Sequence, residues 1–155
     1  MFRRISVEAT MLTRDSIVRL ARELNTETGL EHARHTIPLH FTMGAYQRYR
    51  YNTRKRGYTT RKRRQFGHTN PNEFSGALKA IILATAPAGV RATSKGVRIK
   101  AKGTRQHPMW KYTKEELEQV SDSELDQYGS KWARGFASRA KRPEYKKKTR
   151  ISKGR

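Results

Sequence analysis

The chain has 155 residues, of which 35 are Lys or Arg and 13 are Asp or Glu, so its formal net charge at pH 7 is +22. This length suits one domain with extensions, and a charge of this size predicts an anionic partner. Cysteine is absent, which excludes disulfides, thiolate zinc sites and cysteine catalysis. No apolar run approaches the roughly 18 residues of a membrane helix, and the N-terminus lacks the features of a signal peptide. We therefore expect a protein that is made in the cytoplasm and has no membrane contact.

The first thirty residues predict a strand followed by an amphipathic helix. Apolar and polar residues alternate from Ile5 to Met11, and this period of two is typical of a half-buried strand. From Thr13 onward, apolar residues recur at helical spacing as far as Leu24. Gly29 is well placed to end this helix.

Residues 32–72 contain no acidic side chain and include the most basic part of the chain. Four tyrosines, from Tyr46 to Tyr58, are interleaved with the cations, so rings can pack against guanidinium groups at about 0.5 to 2 kcal/mol each. We interpret residues 43–72 as a basic, tyrosine-rich insertion, called here the basic segment. Gly57 and Gly67 predict a short helix or an extended arm, then a break and a second short helix.

Residues 74–102 predict two or three strands. The densest apolar run extends from Leu78 to Leu83, and apolar and polar residues alternate after it. The sequence from Ser94 to Gly96 supplies a tight turn, so residues 89–94 and 97–102 are predicted to pair as a hairpin. Residues 103–108 then leave the sheet as a loop.

Six of the 13 acidic residues lie in one short stretch, called here the acidic block. Its members are Glu115, Glu116, Glu118, Asp122, Glu124 and Asp126. Ser121 and Glu124 have the spacing of a capping box, which predicts a helix from Ser121 toward Ala140. Its apolar residues are predicted to share one face, and they are Leu125, Tyr128, Trp132 and Phe136. We interpret the acidic block as a counter-surface for the basic segment of an adjacent copy.

The stretch from Arg139 to Arg155 has nine basic residues, one acid and no apolar period, so we expect residues 141–155 to be a solvated basic tail. The overall prediction is an α+β fold in residues 1–140. It has a small single core of a few antiparallel strands and two amphipathic helices, to which the basic arm and the C-terminal tail are added.

The cations of the basic segment and the tail are the candidate binding residues. Guanidinium groups pair with phosphate or carboxylate oxygens in a bidentate manner, and aromatic rings can stack, so these side chains predict binding to a polyanion or to acidic partner subunits. The sequence leaves both alternatives open and carries no RRM or KH signature. The candidates are Arg48, Arg50, Arg54, Lys55, Arg56, Arg61, Lys62, Arg63, Arg64, Lys146, Lys147, Lys148 and Arg150.

No pattern predicts a catalytic, metal or cofactor site. His32, His35 and His40 are close in sequence, but Pro38 makes their segment irregular and no second cluster completes a site. The acidic block lacks the glycine-centred spacing of a calcium loop. Neither a nucleophile elbow nor a phosphate-binding glycine loop is found. We therefore expect no enzyme activity, no metal and no cofactor.

The order of motifs over residues 12–102 resembles that of small morphogenesis proteins of tailed bacteriophages and prophages. The motif consists of the step Ile37-Pro38-Leu39-His40-Phe41, the residues Tyr49, Tyr51, Arg54, Tyr58, Arg61-Lys62 and Gly67-His68, and the element Phe74-Ser75-Gly76-Ala77-Leu78. The resemblance is to neck and tail-completion proteins, which join the portal-bearing head to the tail as rings. It implies an α+β subunit, oligomerisation around a channel for DNA, and no enzymatic activity. The extreme charge and the basic tail are not part of this pattern.

We therefore expect a structural virion protein that joins the head to the tail of a phage. Its expected partners are further copies of itself, the portal, connector and tail proteins, and DNA. The main alternative is a ribosomal or other ribonucleoprotein subunit, for which basic extensions on a small core are common. A free DNA-binding protein is a third alternative. The acidic block favours assembly, because a free-standing nucleic-acid binder gains little from it.

Overall fold

The computed structural model describes residues 6–73 and 75–152, so Ile5, Phe74 and residues 153–155 of the predicted elements lie outside the described residues. The chain is an α+β protein, as predicted. Its helices are α1 (Arg14–Glu31), α2 (Ala45–Arg48), α3 (Arg56–Phe66), α4 (Ala77–Thr85), α5 (Trp110–Leu117) and α6 (Asp122–Arg139). Its strands are β1 (Ser6–Leu12), β2 (Val90–Thr93), β3 (Gly96–Ile99) and β4 (Lys146–Ser152). No helix within the described ranges is long and apolar enough to cross a membrane.

Helix α1 begins at the predicted residue but does not end at Gly29. The Thr13 hydroxyl accepts a hydrogen bond from the Ser16 amide at 3.2 Å, which satisfies one of the free N–H groups of the first turn. After α1, a π-helical turn and a 3-10 turn carry the chain on to Phe41. Gly29 is buried, and a Cβ at this position would lie 2.4 Å from a methyl carbon of Val97. The glycine therefore allows α1 to approach the hairpin closely, which is a different role from the predicted one.

The densest apolar run forms helix α4, and the prediction of a strand there is wrong. Leu78, Ile82 and Ala86 are spaced four residues apart and are all buried. A short apolar run fits a strand or a buried helix equally well, and only its burial pattern in the fold distinguishes the two. The predicted hairpin is confirmed: β2 and β3 are antiparallel, with Val90 opposite Ile99.

The two ends of the chain form a second antiparallel pair, called here the terminal ribbon. In it, β1 lies beside β4, with Leu12 opposite Lys146. We expected a solvated tail, but its residues Lys146–Ser152 form a paired strand. Tyr145 is buried just before β4, and its hydroxyl contacts Glu23 while Arg19 lies 4.8 Å from its ring centre. These contacts anchor the tail beside β1.

The apolar residues form a main core cluster and smaller clusters. The main cluster contains Ala33, Ile37, Phe41, Leu78, Ile82, Ala86 and Val90. A second cluster joins α1 to α6 and includes Leu20 and Leu24, against which Trp132 and Phe136 pack. Helix α6 begins with the predicted capping box. Leu125 is 56% exposed, however, so it does not share the packed face of α6 that the sequence predicts.

Candidate functional site

His40, Tyr49 and Tyr51, which belong to the motif that carries the phage resemblance, form one buried unit. The His40 ring is fully buried and stacks on Tyr49, with 3.9 Å between the ring centroids and 8° between their planes. The Tyr51 hydroxyl contacts Nδ1 of His40 and donates to the carbonyl oxygen of Glu116 at 2.7 Å. Because this hydroxyl has a single hydrogen, Nδ1 of His40 is the donor in their contact and Nε2 carries no proton. Burial lowers the pKa of His40 to about 4, so the ring is neutral at pH 7.

Glu124 connects this unit to helix α6 and neutralises Arg48. The buried carboxylate accepts hydrogen bonds from the Tyr49 hydroxyl at 2.8 Å and from the Arg48 guanidinium at 3.2 Å. Its second oxygen accepts from the Ser121 amide at 3.0 Å, which completes the capping box. Burial alone would raise the pKa of Glu124, but these hydrogen bonds outweigh burial and the pKa is lowered. The carboxylate is therefore charged at neutral pH.

Arg54 and Glu116 form a second ion pair between the basic segment and the acidic block. Their closest nitrogen and oxygen lie 2.5 Å apart, and both side chains are largely buried. Burial would lower the pKa of Arg54, but the hydrogen bond and the charge of Glu116 outweigh it, so the pKa is raised. Glu116 and Glu124 thus each bind one arginine of the basic segment within the same chain. The sequence predicted instead that the acidic block contacts the basic segment of an adjacent copy.

The other four residues of the acidic block are exposed, and they are Glu115, Glu118, Asp122 and Asp126. Glu118 lies 3.9 Å from Lys114, one turn earlier on the same helix. Within residues 6–73 and 75–152, the other three form no ion pair. Asp122 is in the first turn of α6, where a negative charge stabilises the helix dipole. The acidic block therefore keeps exposed carboxylates as well as buried ones.

Helix α3 of the basic segment has an inner face that holds it in place. Lys62 is only 2% exposed, its Nζ donates to the carbonyl oxygen of Asn70, and it lies 5.7 Å from the centre of the Tyr58 ring. Burial lowers the pKa of Lys62. Gly67 ends the helix in the left-handed conformation, with φ of 75°. The sequence predicted Lys62 as a binding residue, but its ammonium group is buried and holds α3 in place.

The outer face of α3 and the residue before it present exposed cations, called here the α3 cations: Lys55, Arg56, Arg61, Arg63 and Arg64. None of them forms an ion pair with an acid in the described part of the chain. Three of these arginines line a shallow cleft together with Thr59 and Thr60. Residues three, four, seven and eight apart share a helix face, which explains why they meet. Guanidinium and hydroxyl donors on one face can hold phosphate or carboxylate oxygens.

The remaining candidate cations lie elsewhere. Arg50 is exposed and its backbone is left-handed, with φ of 53°. Lys146 and Lys147 are exposed on β4. Lys148 and Arg150 also belong to β4, but their side chains lie outside the described residues. The fold thus groups the α3 cations on one helix and places the tail cations on a separate strand.

The three clustered histidines do not converge on a common site. Nδ1 of His32 lies 3.2 Å from the Tyr128 hydroxyl, whereas His35 is exposed and His40 is enclosed by tyrosines. In the part of the chain that the structure describes, no group of three or more His, Asp or Glu side chains could hold a metal ion.

The candidate site thus contains cations of two kinds. Arg48, Arg54 and Lys62 contact buried acids, a carbonyl group or an aromatic ring, whereas the α3 cations are exposed. The chain matches no family model, no curated protein and no solved structure. Sequence reasoning missed Thr59 and Thr60, although their spacing from Arg56 could have placed them on the cation-bearing helix face. It also missed the pairing of Arg48 with Glu124, which no local pattern indicates because 76 residues separate the partners.

Proposed function

We propose that the chain is a structural protein of a tailed-phage virion. In this proposal it joins the head, at the portal or connector, to the tail as part of a ring-shaped neck or tail-completion assembly, and it has no catalytic role. The resemblance motif supports the proposal because its residues pack together. Phe41 and Leu78 belong to the main core cluster, and His40 next to them binds Tyr51.

The observation that carries the proposal is the terminal ribbon. Neither of its strands pairs with a third strand among the described residues, so both of its outer edges are open. A sheet of two strands is only marginally stable alone, and open edges are templates for further pairing. Met11 of β1 is 64% exposed, so the ribbon presents an apolar side chain to its surroundings. Such a ribbon is typical of a subunit whose sheet is completed by a neighbour.

The distribution of charge supports contacts between unlike surfaces of adjacent copies. Glu115, Asp122 and Asp126 are exposed, and the α3 cations have no acidic partners among the described residues. A contact that joins one surface to a different surface of the next copy generates a ring when its rotation closes. The α3 cations also support contact with DNA in the channel of such a ring, or with acidic portal and tail subunits.

The first test is the oligomeric state of the purified protein, measured by light scattering and negative-stain microscopy. We expect rings of fixed diameter for the wild type, and loss of rings for Met11→Glu because it places a charge on the exposed face of the terminal ribbon. Met43→Glu is the matched control, since Met43 is 53% exposed and lies outside the ribbon. If Met11→Glu forms rings as well as the wild type does, the terminal ribbon is not part of the interface between copies.

The second test is genetic. Deleting the gene from its phage should give filled heads and free tails that do not join. Filled heads joined normally to tails in the deletion mutant would overturn the proposal.

A ribonucleoprotein subunit is the second candidate, and it is favoured because the α3 cations form no ion pair with an acid among the described residues. Buried acids occupy Arg48 and Arg54, so two of the carboxylates that suggested assembly contacts are already used within the chain. This candidate predicts copurification with ribosomal RNA through a high-salt wash. It also predicts that Arg63→Glu with Arg64→Glu reduces the salt dependence of RNA binding.

A further inference from the structure

A groove outside the basic segment runs between strand β3 and helix α5. Its volume is about 1090 Å³, which is slightly above the roughly 300 to 1,000 Å³ usual for small-ligand pockets. Ile82 and Ala86 at its base are buried in the main core cluster, so its accessible apolar surface includes the half-buried Trp110 and Leu117, which lie seven residues apart on one face of α5. The groove therefore has room for several side chains of a ligand.

Strand β3 presents its unpaired edge to this groove. All residues from Val97 to Lys102 line it, which is expected when the edge of a strand, and not one of its faces, borders a cavity. On the opposite edge, the Lys100 amide donates to the carbonyl oxygen of Gly89 at 3.2 Å. Because backbone groups alternate in direction along an antiparallel strand, those of Val97 and Ile99 point away from β2. In the described part of the chain, β3 pairs with β2 and no other strand.

Positive side chains surround the groove. The cations among its lining residues are Arg98, Lys100, Lys102, Arg105 and Lys114, and its acid is Glu118. These charges exclude the β3 edge of a second copy as the occupant, because like charges would face each other across the new strand pair. The acidic block of a second copy does not fit either, since its residues belong to α5, α6 and the short link between them.

The apolar lining also makes the groove different from the α3 cations. The cleft on α3 is lined by arginine and threonine alone, which suits phosphate oxygens. The half-buried Trp110 and Leu117 contribute to binding only when apolar side chains cover them. An added strand meets all of these requirements, because its backbone pairs with the edge while successive side chains alternate between two directions.

We infer that this groove binds an extended, acidic segment of a partner protein as an added strand on β3. Alternate apolar side chains of the segment cover Trp110 and Leu117, and its carboxylates pair with the cations at the rim. The inference is independent of the proposed virion role and applies to a partner in any assembly.

The experiment uses the full chain and a fluorescein-labelled peptide of about eight residues that alternates glutamate and valine. Fluorescence anisotropy gives its affinity for the wild type, for Arg98→Glu with Lys102→Glu, and for the matched control Arg14→Glu with Arg22→Glu, at exposed arginines of α1 outside both candidate surfaces. We expect the groove variant to bind at least about tenfold more weakly and the control to change by less than about threefold. A glutamate and serine peptide of the same charge should also bind more weakly than the valine peptide.

Hydrogen exchange in the wild type tests the geometry without any substitution. Strand addition should slow the exchange of the Val97 and Ile99 amides when the valine peptide is bound. The inference would be overturned by absent binding, by equal losses in both charge-reversal variants, or by unchanged exchange at both amides. Duplex DNA that displaces the peptide and protects the same amides would also overturn it, because the groove would then be a nucleic-acid site.

Discussion

The buried imidazole of His40 makes the stability of the fold sensitive to mild acid. Its Nδ1 donates to Tyr51, and its Nε2 is buried and contacts no hydrogen-bond partner among the described residues. Protonation would place an N–H group and a positive charge on Nε2, where no acceptor is available. Burial has the largest effect on the pKa of His40 and lowers it; the charge of His32 lowers it further, while the charge of Glu124 opposes both.

The size of the effect follows from the two pKa values of this group. The pKa of His40 is 6.5 for the ordinary side chain and about 4 in the fold, so the unfolded chain takes up the proton first. Stability is therefore fully present above pH 6.5 and is lost progressively as the pH falls toward the folded pKa. Linkage gives a loss of about 2 kcal/mol by pH 5 and about 3 kcal/mol below both pKa values.

Denaturant unfolding between about pH 7.5 and about pH 5, followed by tryptophan fluorescence, measures this loss. The wild type and the control His35→Gln, at an exposed histidine, should show it, and His40→Gln should lose about 2 kcal/mol less. Part of the slope should remain, because burial also lowers the pKa of His32. Glu124 titrates below this window, since its pKa is lowered from 4.5. An unchanged pH dependence in His40→Gln would refute the reasoning.

Further substitutions test other parts of the fold by the free energy of unfolding. Gly29→Ala should lower the stability of the fold by about 1 to 3 kcal/mol, because the added Cβ would clash with Val97 and Val90. Gly57→Ala, on α3 with nothing near its Cβ, should raise the stability by about 0.5 kcal/mol. Equal effects of the two substitutions would contradict the close packing at Gly29. Glu124→Gln should lower the free energy of unfolding by about 1 to 3 kcal/mol, and Asp126→Asn, at an exposed residue, should change it very little. If neither substitution changes stability, the buried carboxylate does not support the fold. Tyr145→Phe should lose the hydrogen bond to Glu23 and lower the free energy of unfolding, and no change would show that β4 alone holds the tail.

Elements with local signals were predictable from the sequence. The Thr13 and Ser121 caps are short-range patterns, and both helices begin where these residues place them. The hairpin also depends on a local turn between two alternating runs; β2 falls within its predicted range, and β3 begins one residue before its predicted range, at Gly96. Each of these features needs only residues a few positions apart, which is why no knowledge of the fold was required.

Features that depend on distant partners were not predictable. Gly29 looks like a helix terminator until Val97 is placed against it. The tail lacks an apolar pattern of its own, and it becomes a strand because β1 provides a complete register of partners for it. The run from Leu78 to Leu83 is too short to distinguish a helix from a strand. In all three cases the deciding contact joins segments that are far apart in sequence.

The same distinction changes the meaning of the chain's positive charge. Arg48 and Arg54 are neutralised by buried acids and Lys62 is enclosed, so these cations hold the basic segment onto the core. Among the cations that stay exposed in the described residues, two groups differ in chemistry. The cleft on α3 is lined by arginine and threonine and suits an oxyanion, whereas the rim of the β3 groove surrounds apolar side chains and suits a protein segment. If both proposals hold, one subunit binds a polyanion at α3 and a protein segment at β3, which would suit the proposed position between the head and the tail.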